Sequence, residues 1–347
     1  PRHRSPAGGG RLPLTAGRPP PGTGVGDLPE MGASPTPDRR RWGGGGEEVM
    51  VPAAEFRSYH GRPVLKRPVW KADIPAYLFT GGVMAGSSLL AAGADLTGNG
   101  PLRRATRLVA AAALTASSAL LVHDLGRPSR ALNMLRVIKP TSPMSVGSWL
   151  LAGYGPGVAA AAVAEATGRL PGVGRAGGLA AAALAPAVAT YTAVLVSDTA
   201  VPAWRDAGTH LPFVFAGSAA AAGGGLAAAL VPAAAAGPAR RLAALGAVVD
   251  LVASRRMEAS MGVTAEPYGR GRAGRLNQAA RALTAAGAAG LVLCGRRNRP
   301  AAVASGLALA AGSACTRSAV FAAGVQSADD PRYTVVPQRE RLARPSP

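Results

Sequence analysis

Two acids close long apolar runs in this chain. Asp124 ends one, inside "HDLGRPSRALNMLRVIKPTSPMSVGSW" (residues 123–149), and Asp198 ends another, inside "SDTAVPAWRDAGTHLP" (197–212). If the runs are helices, both carboxylates sit at helix C-termini, the end of the macrodipole that disfavours negative charge. Acids held there point to proton exchange or to a partner. His123 adds a second protonatable group beside Asp124. Arg127, three residues on, is close enough to pair with Asp124 across one turn. Trp149 and Trp204 stand at the same depth, where Trp anchors an interface and Arg meets lipid phosphate. A third feature is Arg317, deep in an apolar run. A central intramembrane Arg costs several kcal/mol unless paired or hydrated. Asp250, on the same side, is its candidate partner in a charge pair or proton path.

The elements that must position these groups are apolar all round. No charged residue lies between Lys139 and Glu165, between Arg175 and Asp198, or between Asp206 and Arg240. A helix of a soluble protein needs a polar stripe, and these windows have none. They have the length of bilayer spans. The pattern predicts an all-α polytopic membrane protein with about eight spans, near 74–95, 105–123, 145–165, 176–198, 210–232, 239–254, 279–295 and 300–325. The sixth and seventh are the shortest. Pro186 should kink the fourth. The small residues of "GGVMAGSS" (81–88) allow helices to approach closely. Residues 1–55 are rich in Pro, Gly and Arg and are expected to be a disordered tail, with Met31 or Met50 nearer a start than Pro1. With eight spans the ends share a side, and the Lys/Arg excess on that side predicts cytoplasmic termini.

Composition narrows the chemistry. The net charge of +20 would suit nucleic acid, but the cations lie in short clusters between greasy windows. The lipid bilayer is the expected partner, not nucleic acid. Two cysteines, Cys294 and Cys315, and no Cys-x-x-Cys cannot hold an iron–sulfur cluster, which takes about four thiolates. The four histidines, at 3, 60, 123 and 210, offer no pair for a bis-His haem.

The motifs "HDLGRPSRALNML" with "PTSPMSVGSW", "YTAVLVSDTAVPAW", "LPFVFAGSA" and "AGSACTRSAVFAAGVQSADDPRYTVVPQR" together resemble the NrfD/PsrC family, the membrane subunits of polysulfide reductase-type oxidoreductases. The resemblance runs from about Tyr59 to Arg341. It implies two four-helix bundles, 56–205 and 206–327, with a C-terminal tail from 328 to 347. It implies a menaquinone or ubiquinone site in the first bundle, without haem or metal. It also implies electron exchange with a four-cluster, ferredoxin-like iron–sulfur subunit that serves a molybdopterin catalytic subunit or a cytochrome. By motif, Asp124 and His123 are the candidate proton-exchanging groups. Tyr77, Asp73, Arg127 and Trp149 are the candidate quinone contacts, with His60 as a further neighbour. Two other classes remain open at this level: a secondary transporter, which would suit an intramembrane Arg and Gly/Pro-broken helices, and a passive anchor for a soluble redox enzyme.

Overall fold

The computed structural model describes residues 64–125 and 129–343. The expectations for residues 1–55, for His60 and for the Asp124–Arg127 pair lie outside the described residues. Within them the chain is helical, without strands. Eight helices have 20 residues or more: α1 (Asp73–Leu96), α2 (Gly100–Asp124), α4 (Pro143–Thr167), α5 (Pro171–Ser197), α7 (Leu211–Leu230), α8 (Gly237–Ser260), α9 (Gly271–Leu293) and α10 (Arg299–Asp329). Short helices α3 (Ser129–Asn133) and α6 (Pro202–Asp206) lie in connections, and α11 (Arg332–Ala343) follows α10. A 3-10 helix, Gly262–Gly269, joins α8 to α9.

Local chemistry sets these boundaries. Six of the long helices carry Pro in the first two positions, where the missing N–H costs nothing and φ is already helical. Asn99 caps α2 by accepting from the Leu102 amide at 3.3 Å, and Asn298 caps α10 by accepting from Ala301 at 3.1 Å. Gly168 ends α4 in the left-handed region. α5 stays one helix through Pro186.

Six of the eight, α1, α2, α4, α5, α7 and α10, are long and apolar enough to cross a membrane. The chain is therefore a multi-pass membrane protein. α8 and α9 carry more charge. They are also longer than their apolar stretches suggest, because Arg255, Arg256 and Glu258 continue α8 while Arg272 and Arg275 open α9. Hydropathy registers only the middle of such helices.

The contacts group the long helices into two rings. α1, α2, α4 and α5 pack in a closed cycle, as do α7, α8, α9 and α10, and α7 and α10 join the second ring to α1. The joint depends on small residues. A Cβ on Gly223 of α7 would lie 2.7 Å from the Gly86 carbonyl carbon of α1, so the two backbones touch as the 81–88 stretch allows. Within the first ring Tyr154 is fully buried, and its hydroxyl binds Ser88 at 2.7 Å and the Met84 carbonyl at 2.8 Å. Arg67 and Asp329 form an ion pair at 3.4 Å, which places the start of α1 and the end of α10 on one side.

The two ends of the first ring differ in character. One end carries a charge network from four helices. Glu165 takes Arg103 at 2.9 Å and Arg107 at 3.0 Å, and Asp95 receives Arg107 at 3.4 Å and Arg175 at 3.7 Å. Arg107 is 6 % exposed, and it is tolerated there because two carboxylates share its charge. Asp124 ends α2 at the opposite end of the ring, 21 residues from Arg103. That is about 30 Å at the helical rise, the thickness of a bilayer's hydrocarbon core.

Candidate functional site

A small cavity lies at the Asp124 end of the first ring, where the start of α1, the end of α2, the start of α4 and the end of α5 converge. Its volume is ≈ 90 Å³, and its walls include Tyr77, Asp124, Met134, Met144, Leu151 and Tyr191. That is far below the several hundred Å³ of a drug-sized site, so it suits one ring and not an extended ligand. Most of the wall is apolar. The polar side chains are the two phenols, the Asp124 carboxylate, the Ser148 hydroxyl, which donates back to the Met144 carbonyl at 2.9 Å, and the Trp70 indole.

Each polar group is placed by its helix. Tyr77 sits one turn into α1, 5 % exposed. Its hydroxyl is hydrogen-bonded to that of Tyr191, from the last two turns of α5. Gly147 makes room for the Tyr191 ring: a Cβ there would lie 2.8 Å from Cδ2. The site thus needs glycine on α4 opposite tyrosine on α5. Asp124, the last residue of α2, is exposed at the cavity mouth.

Asp73 opens α1 and faces His123, whose Nδ1 lies 3.2 Å from its Oδ2. His123 is 78 % exposed and Asp73 is 22 % exposed. The pair therefore sits beside the cavity on its solvent side, not in its wall. Four of the residues singled out by sequence, Tyr77, Asp124, Asp73 and His123, gather at this end of the ring.

The others lie elsewhere. Trp149 does not line the cavity; its ring nitrogen donates to the Val137 carbonyl at 3.3 Å and pins the return loop before α4. Asp198 is exposed at the C-cap of α5, away from the cavity wall. Trp204 is not an interface anchor. It is 1 % exposed, donates to the Val320 carbonyl at 2.8 Å and stacks on Trp70 at 5.6 Å.

The direct Arg317–Asp250 contact is not formed among the described residues. Arg317 lies over the Phe215 ring, 3.6 Å from its centroid, and donates to the Phe215 carbonyl at 2.8 Å. Asp250 accepts from Ser254 at 3.3 Å. Both are buried, at 0 % and 3 % exposure. Phe215 offers the guanidinium a ring face and a carbonyl at once, which holds it against α7.

Sequence reasoning missed Tyr191. It begins the motif "YTAVLVSDTAVPAW" and lies seven residues before Asp198, so two helical turns were the available signal. It also missed Asp95 and Glu165, whose arginine partners are distant in sequence or on other helices.

The family model for polysulphide reductase, NrfD, matches residues 61–253. That is more than half of the chain and includes every residue of the cavity wall. No curated protein matches the chain. A multi-pass helical protein that carries this match over its first ring and into α8 is a membrane redox subunit, and the chain belongs to the NrfD family of polysulphide reductase-type membrane subunits.

Proposed function

We propose that this chain binds a quinone, menaquinone or ubiquinone, with the oxygen-bearing ring of its headgroup in the cavity between Tyr77, Tyr191 and Asp124. It exchanges the quinone's electrons with an iron–sulfur subunit docked over the same end. One observation carries the reading: two phenols and a carboxylate converge on a ring-sized, mostly apolar cavity. That donor set fits a flat ring with oxygens at its edge. The Tyr77 and Tyr191 hydroxyls would hold a ring oxygen, and the Met134, Met144 and Leu151 side chains would keep water from the ring faces.

A bound quinol supplies two electrons and two protons. The Asp124 carboxylate at the mouth is the base for a proton leaving the cavity. The Asp73–His123 pair beside it is the next exchanger toward solvent. With two cysteines the chain cannot hold an iron–sulfur cluster of its own, so an electron leaving the quinone must cross a short tunnelling gap to a group outside the chain. The acceptor cluster must therefore belong to a partner, a four-cluster ferredoxin-like subunit linked to a molybdopterin enzyme or a cytochrome. The surface offered to it includes the 3-10 helix and α11, where Glu266 holds Arg332 at 3.0 Å and Arg270 at 2.9 Å.

The test is quinol oxidation by the purified complex. Removing one hydrogen bond to the headgroup is worth about 1 kcal/mol, so Tyr191→Phe should raise the KM for quinol about fivefold to tenfold with the subunits still assembled. Unchanged KM in both Tyr191→Phe and Tyr77→Phe would move the quinone out of this cavity.

The same reading sets orientation in the cell membrane. The basic flanks at Lys66, Arg67 and Lys71, then Arg136 and Lys139, then Arg255, Arg256, Arg270 and Arg272 lie at the end where α1 begins. By the positive-inside tendency that end is cytoplasmic. A reporter fused after the C-terminus should be active only in the cytoplasm. Activity on the outer face would invert the assignment and put the iron–sulfur partner outside.

A further inference from the structure

A second, larger space lies on the other side of α1. It is a cleft of ≈ 760 Å³ between the start of α1 and the last turns of α10, within the size range of ligand sites. Its mouth carries Arg67, Lys71 and Arg272 against a single carboxylate, Asp329. Arg67 already pairs with Asp329 at 3.4 Å, so the charge left at the mouth is positive. Its depth is mostly apolar, walled by Phe79, Phe321 and Ala314 with the Ser318 hydroxyl between them.

The dimensions select the occupant. From Asp329 to Ala314 is 15 residues of α10, about 22 Å at the helical rise. One leaflet's hydrocarbon is about 15 Å thick, so the cleft runs the depth of a leaflet and beyond. An apolar channel of leaflet depth, capped by cations at the helix ends, complements a molecule with a long hydrocarbon chain and an anionic head. A quinone has the chain but no charge. A peptide segment would leave its backbone unpaired in the apolar depth.

We propose that this cleft holds one anionic phospholipid. Its phosphate lies between Lys71 and Arg272, and an acyl chain runs down α10 to Ala314. Bound there, the lipid fills the space between α1 and α10 and seals the joint between the two rings. The site shares the Trp70 side of its wall with the Tyr77–Asp124 cavity but none of that cavity's phenols or its carboxylate, and the proposal does not depend on quinone binding there.

The experiment is lipid retention. The protein, purified with its partners from native membrane in mild detergent, is extracted, and phospholipids and quinones are quantified per chain by mass spectrometry. Each basic residue near an anionic headgroup contributes about 1 kcal/mol, so Lys71→Gln and Arg272→Gln should each lower retained phosphatidylglycerol or cardiolipin about fivefold relative to phosphatidylethanolamine. Quinone content should not change. Both positions are exposed, so the variants should fold. Ala314→Phe should lower retention from the other end by filling the channel. Retention of anionic lipid unchanged in both charge variants would overturn the proposal. So would loss of quinone in place of lipid, or equal retention of zwitterionic and anionic phospholipid by the unaltered protein.

Discussion

Asp124→Asn slows quinol-dependent electron transfer about 100-fold in a complex that still assembles, the lower end of the range for loss of a positioned general base. The substitution keeps size and hydrogen-bonding shape and removes only the ability to accept a proton. Asp124 is exposed at the cavity mouth, so no folding penalty confuses the result. Replacing an acid at a helix C-terminus with an amide should, if anything, stabilise α2. The measurement is steady-state quinol oxidation alongside direct reduction of the partner by a soluble donor, which bypasses the membrane subunit. Loss in the first assay with the second intact locates the defect at the quinone step. Normal quinol turnover in Asp124→Asn would leave the carboxylate as a docking or capping group and shift the proton path to Asp73 and His123.

Arg317→Ala should destabilise the protein by about 3 kcal/mol, read as lower abundance in the membrane and a lower Tm. Three losses combine. The guanidinium is fully buried and sits between α1, α7 and α10: a Cβ on Gly82 would lie 3.0 Å from its Nη2. Its removal opens a cavity at the joint between the rings. The Phe215 carbonyl loses its 2.8 Å donor. Asp250, 3 % exposed, loses the nearby buried cation. The two charges do not touch, and their coupling is the quantity to measure. Arg317→Ala combined with Asp250→Asn should recover part of the lost Tm, because an uncompensated buried acid is a large share of the penalty. A double variant no more stable than Arg317→Ala would mean that Arg317 acts through Phe215 and packing alone.

The helical, membrane-spanning character of the chain was legible because it rests on local chemistry. A span needs about 20 residues without charge, prolines mark helix starts, and both can be read within one window of sequence. Tyr77, Asp73, His123 and Asp124 were legible for a related reason. They lie at or near helix ends, and two ends on the same side of a membrane are neighbours as soon as the spans are counted. The extents of α8 and α9 were not, since their polar end turns are helical through contacts that hydropathy does not see.

The cavity itself belongs to the packing. Tyr191 meets Tyr77 across 114 residues because Gly147, on a third helix, yields the space for its ring. No periodicity announces such a three-helix coincidence. The same holds for Arg317. Its burial could be read from the span, but its partner could not, because a guanidinium takes whichever ring face and carbonyl the neighbouring helix presents. Phe215 presents both. Spans are set by the free-energy cost of charge in hydrocarbon, a sum over neighbours in sequence. Sites are set by which side chains and gaps meet between helices, and that depends on rotation and register, which an apolar Ala- and Gly-rich surface leaves undetermined until the rings close.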